Sequence, residues 1–440
     1  MDTEGRAALA RSRGVRRVTP RDGGFTLRAS RRATHLFVGP MMGRVRHPVR
    51  PRRVCRAGRV SRRLLLRGPS FRFSVFPFFR RRILNRRNPM DFSIAAILAQ
   101  DGITTGAIYA LLSLALVLVF SVTRVIFIPQ GEFVTYGALT LAALQAQKFP
   151  ATCWLLFVAG IACFMLEVGG LIRHRARRRR LARTLTTLAS RYVLLPLAIY
   201  AVTRSAAAQP LPMIAQIALT LAIVVPLGPF IYRLAYQPIA EGTTLLLLIV
   251  SVAVHFALVG LGLVMFGAEG SRTTAFSDTS LALGSLSISM QSAWVVGTAL
   301  VLIAALYLYF ERTLPGKALR ATSVNRLGAR LVGIGTTEAG RLAFTLAAGL
   351  GALSGVLVGP LTTIYYDSGF LIGLKGFVGA IIGGLVSYPL AAAGSLLVGV
   401  LESYSSFWAS AYKEVIVFTL IVPVLLWRSL AAPQTEDEEA

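Results

Sequence analysis

Cysteine, histidine and acidic residues are all scarce in this chain of 440 residues. Its three cysteines, Cys55, Cys153 and Cys163, form no CxxC pair, so neither a disulfide framework nor a zinc site is suggested. Its four histidines, His35, His47, His174 and His255, fall in no HExxH sequence, which removes the zinc-hydrolase helix. A phosphate-cradling GxxxxGKS/T loop is also missing. Gly316-Lys317 lacks the earlier glycine and the following hydroxyl residue, so no ATP hydrolysis and no cofactor is expected of this chain. Asp and Glu total 19 against 47 Lys and Arg.

That imbalance, +28 overall, is concentrated in one place. Residues 1–89 contain 25 Arg, no Lys and only Asp2, Glu4 and Asp22 as acids. The segment has no helical period and reads as a disordered Arg-rich extension. One reading is translated upstream DNA, with Met90 the true start, and this is preferred. A basic arm on anionic lipid or nucleic acid and a long transit peptide are the alternatives. No function is assigned there, and no nucleic-acid partner is expected.

What the chain has in abundance is apolar sequence. Hydrophobic residues make up 55% and the mean hydropathy is +0.63. Several runs approach the ~20 apolar residues that cross a bilayer. They do not alternate, as barrel strands would. The expected fold is an all-α polytopic membrane protein with about eight transmembrane helices, plus broken or re-entrant segments, over residues 90–430.

From Ile94 to Phe120 the sequence is one long, mostly apolar stretch, with Gly102, Gly106 and Ala110 on one helical face. Pro129 and Gly131 then interrupt the apolar run at about membrane depth. Backbone groups freed there need protein or water partners. Further spans are expected near Cys153–Ile172, Tyr192–Val202, Pro212–Ile231, Thr243–Phe266, Trp294–Phe310, Leu342–Thr362, Phe370–Leu401 and Val415–Trp427. The cluster Arg173–Arg183 is a positive-inside anchor. The polar, nearly uncharged stretch Gly267–Met290 is an outer loop with room for a small hairpin. Ala347, Gly351, Gly355 and Gly359 recur at four-residue steps, a small-residue seam for close helix packing, and Gly379 and Gly383 repeat the pattern. Placing Met90 and Arg428 both in the cytoplasm requires a re-entrant or broken helix in each half, and the Pro129–Gly131 and Pro389 breaks are the candidates. Interrupted helices in both halves of a transporter mark a substrate path. Residues 431–440 form an acidic, solvated tail.

Between two spans lies the polar loop Glu311–Arg341, with Arg312, Lys317, Arg320, Arg326, Arg330 and Arg341 against only Glu311 and Glu338. A short basic loop of this kind is cytoplasmic. Its middle suits short amphipathic helices with Leu319, Val324, Leu327, Leu331 and Ile334 as a contact surface for a soluble partner.

Among candidate path residues, Glu132 is a carboxylate at membrane depth, placed to meet a substrate ammonium group or to hold the broken helix. Tyr109, Gly131 and Tyr136 accompany it. Arg124, eight residues before Glu132, is either its partner or, as preferred, a cytoplasmic anchor, and Lys375 reads as an interfacial snorkelling lysine. His255, alone on an apolar helix, reads as a packed and hydrogen-bonded side chain. The lone span histidine argues against an intramembrane hydrolase. An ion-coupled secondary transporter is the alternative function, but it leaves the basic loop unexplained.

Three stretches carry a family resemblance: GAIYALLSLALVLVFSVTRVI followed by QGEFVTYGA (Gly106–Ala138), TLPGKALRATSVNRLGARLVGI (Thr313–Ile334), and FTLAAGLGALSGVLVGP with KGFVGAIIGGL (Phe344–Leu385). The chain from Met90 resembles the LivH-type permease subunits of ATP-binding-cassette importers for branched-chain amino acids. The resemblance implies a conduit in the bacterial inner membrane, coupled to separate ATP-binding ATPase subunits through Leu314, Gly316, Arg320, Ala321, Asn325, Ala329, Arg330 and Gly333. It also implies a second, LivM-like permease subunit and an extracytoplasmic solute-binding protein. The run Phe127-Ile128-Pro129-Gln130-Gly131-Glu132 departs from the family's Asn-Phe-Ala-His-Gly-Asp, which leaves amides, urea or other small solutes beside branched-chain amino acids as substrates.

Overall fold

The computed structural model describes residues 92–173, 181–206, 210–277, 279–283 and 286–431. The Arg-rich extension, with the expectations placed on it, and the acidic tail lie outside the described residues. Among those described, eight helices are long and apolar enough to cross a membrane, and the only paired strands make one small hairpin.

The first helix, α1 (Phe92–Thr123), has no proline and an almost unbroken apolar sequence, and it is buried at the centre of the body. Gly102 and Gly106 let it touch backbone on another helix: a Cβ on Gly102 would stand 2.6 Å from Val400 Cα. At Arg124 the chain turns through φ +60° and leaves helical geometry until Pro129. Then α2 (Gln130–Gln145) resumes. α3 (Thr152–Arg173) follows, then α4 (Leu181–Ala189), which passes through a widened turn at Ser190–Leu194 into α5 (Leu195–Ala206). α6 (Met213–Val224) and the short α7 (Leu227–Ile231) make the next crossing. α8 (Thr244–Phe266) is capped by Thr243, whose hydroxyl accepts from Leu246 N–H. The polar loop that follows holds the antiparallel pair β1 (Ser280–Leu283) and β2 (Leu286–Ser289), in register Ser280 to Ser289. α9 (Met290–Arg312) leads to the two short helices of the basic loop, α10 (Leu314–Val324) and α11 (Arg326–Leu331). The remainder is α12 (Thr336–Val358), α13 (Ser368–Ile382), α14 (Tyr388–Ala409), α15 (Lys413–Thr419) and α16 (Ile421–Ala431).

Two ends of the bundle can be told apart. At the hairpin end, Tyr404 donates to Ala95 O (3.0 Å), Thr274 N–H to Gln145 Oε1 (2.9 Å), and Ser271 bridges Ile364. At the basic end, Leu118 and Val122 of α1 pack with Leu319, Ala339 and Ala343. Phe92 therefore lies at the hairpin end. The last helix runs the other way: Lys375 binds both Glu402 on α14 and Glu414 on α15. A continuous helix would hold those two carboxylates about 18 Å apart. The chain must fold back at Ser410–Tyr412 and descend toward the basic end.

Across the described residues, the first helix therefore begins at the hairpin end and the last runs toward the basic end. Both interrupted segments also run between the two ends of the body instead of re-entering at one face. The span expected over Phe370–Leu401 is two elements, α13 and α14. Its break lies at Gly383–Ser387, where Gly384 and Leu385 have φ of +68° and +60°, and Pro389 merely opens the next helix, where its missing N–H costs nothing.

Candidate functional site: polar clusters at two interrupted helices

The break at Pro129 places three successive residues against three helices. Gln130 donates through Nε2 to Ala347 O of α12 (2.9 Å). Gly131 faces α13: a Cβ there would overlap the Gly369 carbonyl and lie 3.2 Å from Gly373 Cα. Two helices approach here at bare backbone, the first just after its break at Pro129. Glu132 faces α8, where His255 Nδ1 stands 3.0 Å from its Oε1. Proximity is all this pair has. Neither carboxylate oxygen, nor His255 Nδ1, nor Thr135 Oγ1 one turn on, completes a hydrogen bond. Glu132 is 1% exposed. Tyr136, on the same face, donates to Leu258 O (2.8 Å), and Tyr236 meets Ser251 at 3.1 Å. A polar seam thus pins α8 to its neighbours, although the rest of α8 is apolar.

A second cluster lies on α13, α14 and α15. Lys375 is not a snorkelling lysine. It is buried, and its ammonium donates to Glu402 Oε1 and to Glu414 Oε1 (3.1 Å). Tyr109 donates to Glu402 Oε2 (2.7 Å), and Lys375 sits 5.9 Å from the centre of its ring. The structure therefore does not gather the four path residues into one place. Gly131, Glu132 and Tyr136 share one interface, and Tyr109 belongs to the other. Glu402 and Glu414 were missed in the sequence. The available signal was two carboxylates within otherwise apolar C-terminal spans.

The small-residue positions all meet other elements closely. A Cβ on Gly351 would lie 2.7 Å from Phe133 Cβ, on Gly355 2.9 Å from Ala138 N, and on Gly359 2.6 Å from Thr273 Oγ1. On Gly379 it would lie 3.0 Å from Ser395 Cα, and on Gly383 2.8 Å from Ala391 Cα.

The basic loop forms the two expected amphipathic helices. Thr313 caps α10 by accepting from Gly316 N–H (3.1 Å). Gly316 packs on the end of α9, where a Cβ would stand 2.8 Å from Phe310 Cα. Asn325 caps α11 by accepting from Gly328 N–H (2.8 Å). Gly333 ends it at φ +88°, a geometry glycine adopts without strain. Leu319 and Ala329 turn inward, whereas Leu314, Val324, Leu327, Leu331 and Val332 are exposed, and Ala321 is exposed beside them. A groove of about 540 Å³ runs between the two helices, lined by Lys317, Ala321, Val324 and Gly328 among others. Arg320 is paired with Glu311 (3.0 Å) and Arg330 with Glu241 (3.1 Å), so both arginines brace the loop within this chain. Arg326 donates to Ala240 O (3.2 Å).

Residues 98–425 match the sequence profile of the branched-chain amino acid transport system permease component. The chain belongs to this family. The match begins in α1 and ends in α16, so it covers both interrupted segments and the two short helices of the basic loop of this permease. The permease is 31% identical over 238 residues to BraD of Pseudomonas aeruginosa, a high-affinity branched-chain amino acid transport system permease protein, covering 52% of this chain and 77% of BraD. It is 27% identical to LivH of Salmonella typhimurium, covering 74% of this chain and 91% of LivH. It is 26% identical to LivH of Escherichia coli with the same coverage. No solved structure matches it. It is a multi-pass membrane protein and a transport subunit.

Proposed function

We propose that this permease carries branched-chain amino acids, or similarly small zwitterionic solutes, across the bacterial inner membrane as one half of an ATP-binding-cassette importer. Family membership over residues 98–425 carries the proposal. Separate ATPase subunits bind and hydrolyse ATP, and a second, related permease subunit completes the pore. A solute-binding protein delivers substrate at the hairpin end, which is the outer face because the basic loop lies at the other. The substrate path runs by the interrupted helices, where Gly131, Glu132, Tyr136 and Tyr109 lie. In such helices backbone and polar groups are exchanged between partners as the halves rock.

The ATPase docks on α10 and α11. Their exposed residues Val324, Leu327 and Leu331 form a small apolar surface beside a groove, and this is the usual mode of helix recognition. Gly316 packed on the end of α9 and the inward Leu319 and Ala329 seat the two helices on the bundle, so that docking moves it. The reading is tested by co-purification of the permease with its ATPase subunits, comparing wild type with Leu327→Asp plus Leu331→Asp. Both side chains are exposed, so the variant should fold normally, lose the ATPase and lose leucine uptake. Full ATPase retention by that variant would refute docking at this surface. A well-folded wild type that binds no ATPase would refute the importer reading as a whole.

A further inference from the structure

The second polar cluster opens onto a cleft that the permease reading does not explain. At the hairpin end, between α1, α9 and α14, lies a cavity of about 480 Å³. Its walls carry two carboxylates, Asp101 and Glu402, and the hydroxyls of Thr104, Thr105, Ser292 and Ser403. No basic side chain lines it. Asp101 is exposed and has no ion pair among the described residues. Glu402 is the link inward, because its two oxygens are held by Lys375 and Tyr109.

The cluster behind Glu402 is not closed. Lys375 is shared between Glu402 and Glu414, and Glu414, a partly exposed side chain, has no hydrogen-bond partner within the protein at its Oε2. Lys413, the other nearby cation, stands 4.0 Å from Glu414 Oε1. Glu414 can therefore accept more from Lys375 than it now does. An ammonium group arriving from the cleft at Glu402 would replace one ammonium by another. Like-for-like exchange keeps every carboxylate compensated, and so avoids the large penalty of leaving a buried charge without its partner.

We infer that this cleft receives the ammonium group of the transported solute on Asp101 and Glu402, and that Lys375 is a tethered stand-in for that ammonium. Lys375 holds Glu402 while the cleft is empty and shifts toward Glu414 when the solute arrives. A built-in competitor also keeps the site weak enough to release its occupant, as conduction requires. The inference rests on the proposed function, since it names the chemical feature of the solute that the permease reads.

The test uses the full chain in sealed membrane vesicles, with Ser403→Cys as a reporter in a Cys55→Ser background. Cys153 and Cys163 are buried and stay silent. Methanethiosulfonate reagents transfer their thioalkyl group to the introduced thiolate, forming a disulfide and releasing methanesulfinate. The cationic, ammonium-bearing reagent should react about tenfold faster than the anionic sulfonate reagent, because a cleft of one charge sign concentrates its counter-ion. Asp101→Asn should remove most of that preference, and Lys375→Met should increase it. Methylammonium in excess should protect the thiol from the cationic reagent. Equal rates for the two reagents, or a preference that survives Asp101→Asn and falls in Lys375→Met, would overturn the inference. Should Lys375→Met not assemble, the Asp101→Asn arm decides, because that side chain is exposed and unpaired. Leucine uptake by the wild-type assembly is measured in parallel: its absence counts against the proposed function, whereas uptake without reagent selectivity counts against the cleft alone.

Discussion

Adding one methyl group at Gly131 should separate the two interrupted helices. The methyl of Gly131→Ala would fall on the Gly369 carbonyl and 3.2 Å from Gly373 Cα. Both obstacles are backbone, so no side chain can rotate aside. Relief requires α13 to move bodily by about 1–2 Å to restore the 3.5–4.0 Å at which carbon atoms rest. α13 is also held by Lys375 to α14 and α15 and by Gly379 against Ser395, so that shift opens contacts elsewhere. Overpacking of this kind destabilises by about 1–3 kcal/mol. Gly297→Ala is the control. Gly297 lies on the exposed face of α9, and a Cβ there meets nothing within 4 Å. Removing a helical glycine should then stabilise by roughly 0.5–1 kcal/mol. Thermal unfolding of the two purified variants in one detergent should therefore shift in opposite directions. A Gly131→Ala protein as stable as wild type would refute the claim that bare backbone contact sets this crossing.

Two further outcomes follow from the same geometry. His255→Ala removes the imidazole that stands 3.0 Å from the buried Glu132 carboxylate and should cost roughly 1–3 kcal/mol, the range for a buried polar group left unsatisfied; adding Glu132→Gln should recover much of the loss, and strictly additive losses in a double-mutant cycle of thermal stabilities would show that the pair is not coupled. Gly333→Val forces a β-branched residue to φ +88° at the end of α11, which strains the backbone by about 1–3 kcal/mol; ATPase co-purification should fall while the thermal stability of the bundle changes little, because Gly333 is exposed and touches nothing within 4 Å.

Much of this protein could be read directly from its residues. Runs of apolar sequence defined the class, because a bilayer tolerates only segments that satisfy their own backbone. Pro129-Gly131 announced an interruption for the same reason, and the arginines of residues 312–341 marked one loop as polar and basic. Thr313 and Asn325 sit where caps belong, so α10 and α11 were legible as short helices. These are local properties, fixed by a residue and its near neighbours. The partners of buried charges were not legible. Lys375 looked like an interfacial lysine because nothing near it in sequence is acidic; Glu402 and Glu414 reach it only because the chain reverses at Ser410–Tyr412. The same reversal placed the two ends of the body at opposite faces, which hydropathy alone could not show within one long apolar stretch. His255 and Glu132 lie 123 positions apart and meet only when α8 leans on α2. Sequence determined which segments are apolar enough to enter the membrane and which loop is polar and basic. Tertiary structure alone decided which buried charges face one another, because pairing depends on distances that folding creates.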